Sequence, residues 1–183
     1  MKKLKFTDIA DQQLIDIRSQ HAFQEGHLKG SLNLNPGNFK KFADYYLDPK
    51  RPIVFVTENS AELTELDTAA FKIVGYLAVA DIPSDSFEKI DTISVADFLK
   101  EEDFILLDVR HPDEITRPAP EKNLVNIPFE ELVTAYKSLD NSKKVYTLCG
   151  SGNRGTAAAS FLLDKGYTAS VIVGGMKAMQ EFL

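Results

Sequence analysis

A single cysteine, Cys149, stands in a chain of 183 residues. One thiol cannot form an internal disulfide, so no covalent framework staples this fold, and such usage fits a reducing compartment. Histidine is scarce too: His21, His27 and His111 are the three present. None lies four residues from another and none joins a Cys–His cluster, so the pattern supplies no zinc or iron site. Long apolar runs are missing as well. Nothing approaches the ~18–20 residues that span a membrane. The basic start Lys2-Lys3-Leu4-Lys5 meets Asp8 and Asp11 before an apolar stretch can develop. No secretion signal and no membrane anchor are expected, and a cytoplasmic location is. The net charge of −6 is spread over both halves, which leaves no basic footprint for nucleic acid. What remains is an ordinary globular composition, 44% hydrophobic, long enough for one large or two small domains.

The lone cysteine sits in a distinctive context, Thr147-Leu148-Cys149-Gly150-Ser151-Gly152-Asn153-Arg154-Gly155-Thr156. Lys143 to Leu148 reads as a buried strand, a charged lip followed by a β-branched and aromatic run. Thr156 to Leu163 reads as a helix rich in Ala and Leu. The thiol therefore falls where a strand ends and a helix begins. The intervening glycines allow dihedrals that other residues resist, and such a loop can turn its amides inward as an anion-holding concavity. The following helix N-terminus adds unpaired donors and partial positive charge, and Arg154 adds a full one. The expected product is a reactive thiolate, since such surroundings lower a thiol from ~8.5 to roughly 3.5–7.5. A buried inert cysteine before a Gly-rich turn is the bland alternative, and it needs neither the arginine nor the run of glycines.

The rest of the chain alternates short strands and helices. Leu14 to Arg18 reads as a strand, Ser19 to Glu25 as a helix closed by Gly26, and Ser31 to Leu34 as a strand stopped by Asn35-Pro36-Gly37. Phe39, Phe42 and Tyr46 space as a helix face. Ile53 to Val56 reads as a core strand, Ala61 to Val74 as a helix ended by Gly75, and Leu77 to Ala80 as a strand. Phe87 and Ile90 suggest a last short helix of a first unit. Ser94 then looks like the cap of a helix over Val95 to Lys100, with Asp97 at its third position. The second half answers the first. Asp16 to Asp108, Arg18 to Arg110 and Thr57 to Cys149 share one offset of 92 residues. Leu32 to Pro36 is answered by Leu124 to Pro128, the Phe39–Tyr46 helix by Glu130 to Lys137, and Gly75-Tyr76 by Gly166-Tyr167. Two equivalent α/β units follow, each a mostly parallel sheet with helices on both faces, with a boundary near Ile90. In such sheets ligands sit beyond the carboxyl ends of the strands, where Cys149 falls.

On these residues the chain resembles the rhodanese (sulfurtransferase) family, as two domains in tandem. Asp16-Ile17-Arg18 followed by Gly26-His27-Leu28-Lys29-Gly30-Ser31-Leu32-Asn33 looks like the family's opening pattern, D-x-R and then G-H-x-x-G-[AS]-x-N. Cys149-Gly150-Ser151-Gly152-Asn153-Arg154 looks like its active-site loop, and Val173-Gly174-Gly175-Met176 like its closing turn. The resemblance implies a catalytic Cys149 carrying a persulfide, with Gly150, Ser151, Gly152, Asn153 and Gly155 cradling it. The two halves depart from the pattern differently. Residues 1–90 have Thr57-Glu58-Asn59 at the cysteine's position, with Glu58 and Glu62 set to repel an anion, and look like an inactive partner domain. Residues 91–183 carry the loop but replace the G-H-x-x-G segment with Thr116-Arg117-Pro118-Ala119-Pro120-Glu121.

The mechanism implied is covalent catalysis. Cys149 takes a sulfane sulfur from thiosulfate or a low-molecular-weight persulfide and passes it to a thiol or cyanide, with ping-pong kinetics and no cofactor. Relatives whose loop is one residue longer include phosphatases and arsenate reductases, and the shorter loop here favours a sulfur atom over a tetrahedral oxyanion. Arg154 is assigned a catalytic role, guiding an anionic donor and holding the shape of the loop. Asp108, Arg110, Asp16 and Arg18 read as structural strand-end charges, and His111 as a solvated turn residue. Arg117, in the Pro-rich segment, is a weaker candidate for meeting an anion. A second class of reading is a non-catalytic binding module with Cys149 as a redox sensor. The order of an inactive and then an active domain also resembles the tail of metallo-β-lactamase-type persulfide dioxygenases, which makes such a dioxygenase domain the implied protein partner.

Overall fold

A computed structural model describes all residues from 1 to 183. The chain divides into two compact units, Met1–Lys89 and Ile90–Leu183. In the first, β1 (Gln13–Asp16) leads into α1 (Gln20–Glu25). The short strands β2 (His27–Leu28) and β3 (Leu32–Asn33) follow, then α2 (Pro36–Tyr46), β4 (Ile53–Thr57), β5 (Ile73–Ala78) and β6 (Phe87–Glu88). The main sheet has the order β3-β1-β4-β5 and is parallel throughout. Every residue of β4 is buried, the mark of a strand covered on both faces. Ser19 and Asn35 cap α1 and α2 by accepting the amides of Ala22 and Asn38. Such a cap contributes about 1 kcal/mol. Pro36 and Gly37, expected to stop a strand, instead open α2, because a proline at the first helical position forfeits no hydrogen bond.

Two expectations for this unit fail. The helix from Ala61 to Val74 does not form. A 3₁₀ turn covers Ser60–Glu65, an open segment follows, and Ile73 already belongs to β5. Local side chains compete for the backbone there: Asn59 accepts the Ala61 amide, Thr64 donates its hydroxyl to the Ala61 carbonyl, and Asp67 accepts the Ala69 amide. Gly75 is accordingly no helix stop. It lies inside β5, where a Cβ would strike the carbonyl oxygen of Lys2. The N-terminal segment runs beside β5 there, with the Tyr76 amide donating to Lys2 and the Leu4 amide to Tyr76. The second failure is the helix suggested by Phe87 and Ile90. Residues Phe87–Glu88 pair antiparallel with His27–Leu28, so they form a strand that closes over the G-H segment.

The second unit starts with β7 (Asp91–Ile93) and α3 (Val95–Phe98), whose cap Ser94 accepts the Asp97 amide as expected, although the helix ends two residues early. Then come β8 (Phe104–Asp108), β9 (Leu124–Asn126), α4 (Phe129–Ala135), β10 (Lys144–Leu148), α5 (Asn153–Asp164), β11 (Ala169–Ile172) and α6 (Gly175–Met179). The sheet order is β7-β11-β10-β8-β9, again parallel throughout. Helix α5 packs on β10 and β11. In the core of this unit the rings of Phe98, Phe104 and Tyr146 meet edge to face with centroids 5.0–5.8 Å apart. Each such pair contributes about 0.5–1.5 kcal/mol beyond its area.

The repeat is visible in the registers. Asp16 lies opposite Val56 and Asp108 opposite Leu148, the same pairing displaced by 92 residues. In both units the aspartate binds the arginine two residues on through two parallel contacts, Arg18 Nη2 to Asp16 and Arg110 Nη2 to Asp108 at 2.6 Å each. An asparagine amide pins the turn from the neighbouring strand, Asn33 to the carbonyls of Asp16 and Arg18, Asn126 to those of Asp108 and Arg110. This places Asn126 rather than Val125 opposite Asn33, one residue off the sequence match. The match of Gly75-Tyr76 to Gly166-Tyr167 also fails. Gly75 pairs with Val54 as Ser170 pairs with Tyr146, whereas Gly166 turns the chain after α5 at φ 83°.

Candidate active site

Cys149 is the first residue past β10, at the carboxyl end of an interior parallel strand. Gly150, Ser151 and Gly152 turn the chain, and Asn153, Arg154 and Gly155 form the first turn of α5. Gly152 holds φ 100°, in the left-handed region where a side chain is strained. Helix α5 has no side-chain cap at Gly152. The thiol takes that role. The amides of Gly152 and Gly155 donate to Cys149 Sγ at 3.1 and 3.3 Å, and Cys149 is only 2% exposed. Donors so aimed at a helix N-terminus stabilise whatever negative charge forms there. Ser151 and Asn153 are exposed on the outer side of the loop.

The closing turn holds this loop from behind. Gly174 and Gly175 take φ 74° and 58°, and the amides of Met176 and Lys177 donate to the carbonyls of Cys149 and Gly150 at 2.7 and 3.0 Å. A Cβ on Gly175 would collide with the Cys149 carbonyl oxygen. The loop and the closing turn are thus one interlocked piece of backbone.

Beside the loop lies a recess of about 240 Å³ lined by Gly150 and Arg154 and by Arg110, Glu114, Thr116, Met176, Lys177 and Gln180. Arg154 does not stand open in it. Its guanidinium pairs with Glu114, whose same oxygen also accepts the His111 amide at 3.1 Å. Burial alone would raise the Glu114 carboxyl. The hydrogen bond and charge of Arg154, with the His111 amide and the Arg110 charge, bring it below the ordinary glutamate value instead. Arg110 is committed to buried Asp108 and to the Arg117 carbonyl.

Residues 2–83 and again 92–182 match the rhodanese-like domain. The chain belongs to the rhodanese-like family. A tRNA sulfurtransferase of Vibrio cholerae is 28% identical to this rhodanese-like chain over 127 residues, 64% of this chain and 26% of the relative. One of Haemophilus ducreyi is 28% identical over 95 residues, covering 50% and 19% respectively. The chain thus spans about a quarter or less of the length of these curated relatives. Among solved structures, a rhodanese-related protein from Thermoplasma volcanium matches with a TM-score of 0.48 at 33% identity, over 50% of this chain and 92% of the other. A thiosulfate sulfurtransferase from Pseudomonas aeruginosa matches with a TM-score of 0.44 at 19% identity, over 93% and 36%. No helix of this rhodanese-like chain is long and apolar enough to cross a membrane.

The rhodanese-like loop brings Cys149, Gly150, Gly152, Arg154 and Gly155 together. Arg117 stands at the edge of the recess without lining it, donating to Gln180 at 2.8 Å and accepting from Arg110 through its carbonyl at 3.0 Å, and His111 caps the turn Pro112–Glu114 at the surface. Sequence reasoning missed Glu114 and Lys177. The spacing of His111 and Glu114 is that of a capping box, a signal for Glu114 that was present. In the first unit the equivalent of Cys149 is Thr57, whose hydroxyl donates to the Asn59 carbonyl and accepts its amide, both at 3.0 Å. Glu58 lies 3.5 Å from the Arg18 guanidinium, which Asp16 already binds, so Asp16, Arg18 and Glu58 together keep a net negative charge.

Proposed function

We propose that this chain is a sulfurtransferase in which Cys149 carries the transferred sulfur. The observation that carries the reading is the pair of loop amides aimed at Cys149 Sγ beside an open recess. The thiolate attacks the outer sulfur of thiosulfate or of a small persulfide. A new sulfur–sulfur bond forms on Cys149, the donor's own sulfur–sulfur bond breaks, and sulfite or a thiolate leaves. An acceptor thiolate or cyanide then attacks the outer sulfur and returns the Cys149 thiolate. With one cysteine in the chain the acceptor comes from outside. The named activity of the two tRNA sulfurtransferases supports sulfur transfer as the chemistry. No cofactor takes part in this scheme, and it suits a cytoplasmic setting. In the same reading the first domain, residues 1–90, carries no sulfur. Its Thr57 hydroxyl is engaged with the Asn59 backbone, and its loop offers a 3₁₀ turn instead of a helix N-terminus. A metallo-β-lactamase-type dioxygenase domain is the partner this arrangement would serve.

Intact-mass spectrometry of the full chain after exposure to thiosulfate and, separately, to glutathione persulfide tests the proposal. One added sulfur is expected on the wild-type chain and none on Cys149→Ser. Thr57→Cys in the Cys149→Ser background should stay unloaded. Absence of sulfur on the wild-type chain with both donors, or loading of Cys149→Ser, would overturn it.

A further inference from the structure

Three cationic side chains line the recess beside Cys149, and they are not equivalent. Arg110 is held by Asp108 at its back and by the Arg117 carbonyl. Arg154 is held by Glu114. Lys177 is exposed, and its ammonium is tied to no carboxylate, while Arg117, outside the lining, is engaged by the Gln180 amide oxygen. Glu114 does not meet Arg154 by chance of a flexible surface chain. The turn Pro112–Glu114 and the His111 amide fix its carboxylate, and its lowered pKa keeps it ionised through the neutral range. The first unit lacks this arrangement, with Ala22 and Glu62 at the positions 92 residues earlier.

We propose that Glu114 is a specificity-determining residue. It neutralises Arg154 next to the loop and leaves Lys177 as the cation that reads the donor, which favours organic persulfides carrying a distant carboxylate over thiosulfate. The proposal rests on the sulfurtransferase reading and names its donor class. The chemistry separates the two donors clearly. In thiosulfate the sulfonate is bonded directly to the transferred sulfur, so its oxygens must arrive beside Cys149, where Arg154 is already occupied by Glu114 and offers them no free charge. An organic persulfide carries its carboxylate several bonds from the transferred sulfur, so that carboxylate can rest on Lys177 at the recess edge. The carbon chain between them would pass Thr116 at the recess wall.

The test uses the full chain and two alkylating probes of similar size, anionic iodoacetate and neutral iodoacetamide. Their rate ratio at Cys149 reads the local charge with no sulfur transfer involved. Glu114→Gln should raise the iodoacetate-to-iodoacetamide ratio about three-fold, the scale on which a partly exposed ion pair acts. The same substitution in an Arg154→Ala background should leave the ratio unmoved, because Glu114 acts through Arg154. Lys177→Gln, at an exposed position, should lower the ratio by a similar factor. With sulfur donors, Glu114→Gln should raise kcat/KM for thiosulfate relative to glutathione persulfide. An unchanged ratio in Glu114→Gln with normal sulfur loading would overturn the charge selection alone. A ratio that shifts as expected while neither donor loads sulfur would sink the sulfurtransferase reading and leave the charge selection standing.

Discussion

Gly175 rests directly on the carbonyl oxygen of Cys149, with no room between them for a side chain. The contact lies between residues 26 apart in sequence, yet it sets the floor of the active loop. The Met176 amide then ties that carbonyl down at 2.7 Å. The geometry of the thiol therefore depends on a turn that never touches it.

Gly175→Ala should consequently damage both stability and the site. The left-handed φ of 58° alone strains an alanine, and displacement of the Cys149 carbonyl adds to it. A loss of about 1–3 kcal/mol is expected, measured by urea denaturation. Alkylation of Cys149 by iodoacetamide should change in the same variant, because the Gly152 amide also lies 3.0 Å from the added carbon. Wild-type alkylation together with wild-type stability would show that the two turns are not interlocked.

Arg110 offers a second measurement. Asp108 is 2% exposed and takes two contacts from the guanidinium. Arg110→Met leaves that carboxylate buried without its partner, which typically costs about 3–5 kcal/mol. Asp108→Asn combined with Arg110→Met should recover part of the loss. A double variant as unstable as the sum of the two single ones would indicate that the pair is not the source of the cost.

His27 gives the first unit a pH dependence. The ring is 4% exposed, stacks on Phe23 at 4.1 Å and contacts the Phe23 carbonyl through Nδ1 at 3.2 Å. Burial lowers its pKa below the usual 6.5, against the opposing pull of the Phe23 carbonyl and of the Asp16 and Glu88 charges. The unfolded chain then binds more protons than the native one between the two values. Stability from this residue is complete above about 6.5 and is lost as pH falls towards the depressed native value. Melting temperature should drop from pH 7.5 to 5.5 by more in the wild-type chain than in His27→Gln. Equal drops would remove His27 as the cause.

Much of the site was legible because its chemistry is local. The run from Thr147 to Thr156 places strand, loop, thiol, arginine and helix within ten residues, and short-range backbone preferences alone put the thiol at a helix N-terminus. The tandem organisation was legible for a similar reason: Asp–x–Arg and the buried strands recur at a constant offset, and the registers of β1–β4 and β8–β10 follow it. The segment from Ala61 to Val74 misled because alanine and leucine content favours a helix in isolation. Capping and turn side chains between Asn59 and Asp67 diverted the backbone, and the pairing of β4 with β5 claimed its end.

Sequence by itself determined which atom can react, since one thiol in one glycine-rich loop leaves no competitor. Tertiary structure decided the charge around that atom. The union of Arg154 with Glu114 joins residues 40 apart, and the docking of Gly175 on Cys149 and the approach of Lys177 join others nearly as distant. Such contacts depend on how β8, β10 and β11 align in one sheet. Side-chain charge can be counted along a chain, but whether a charge is neutralised is a property of what folds against it.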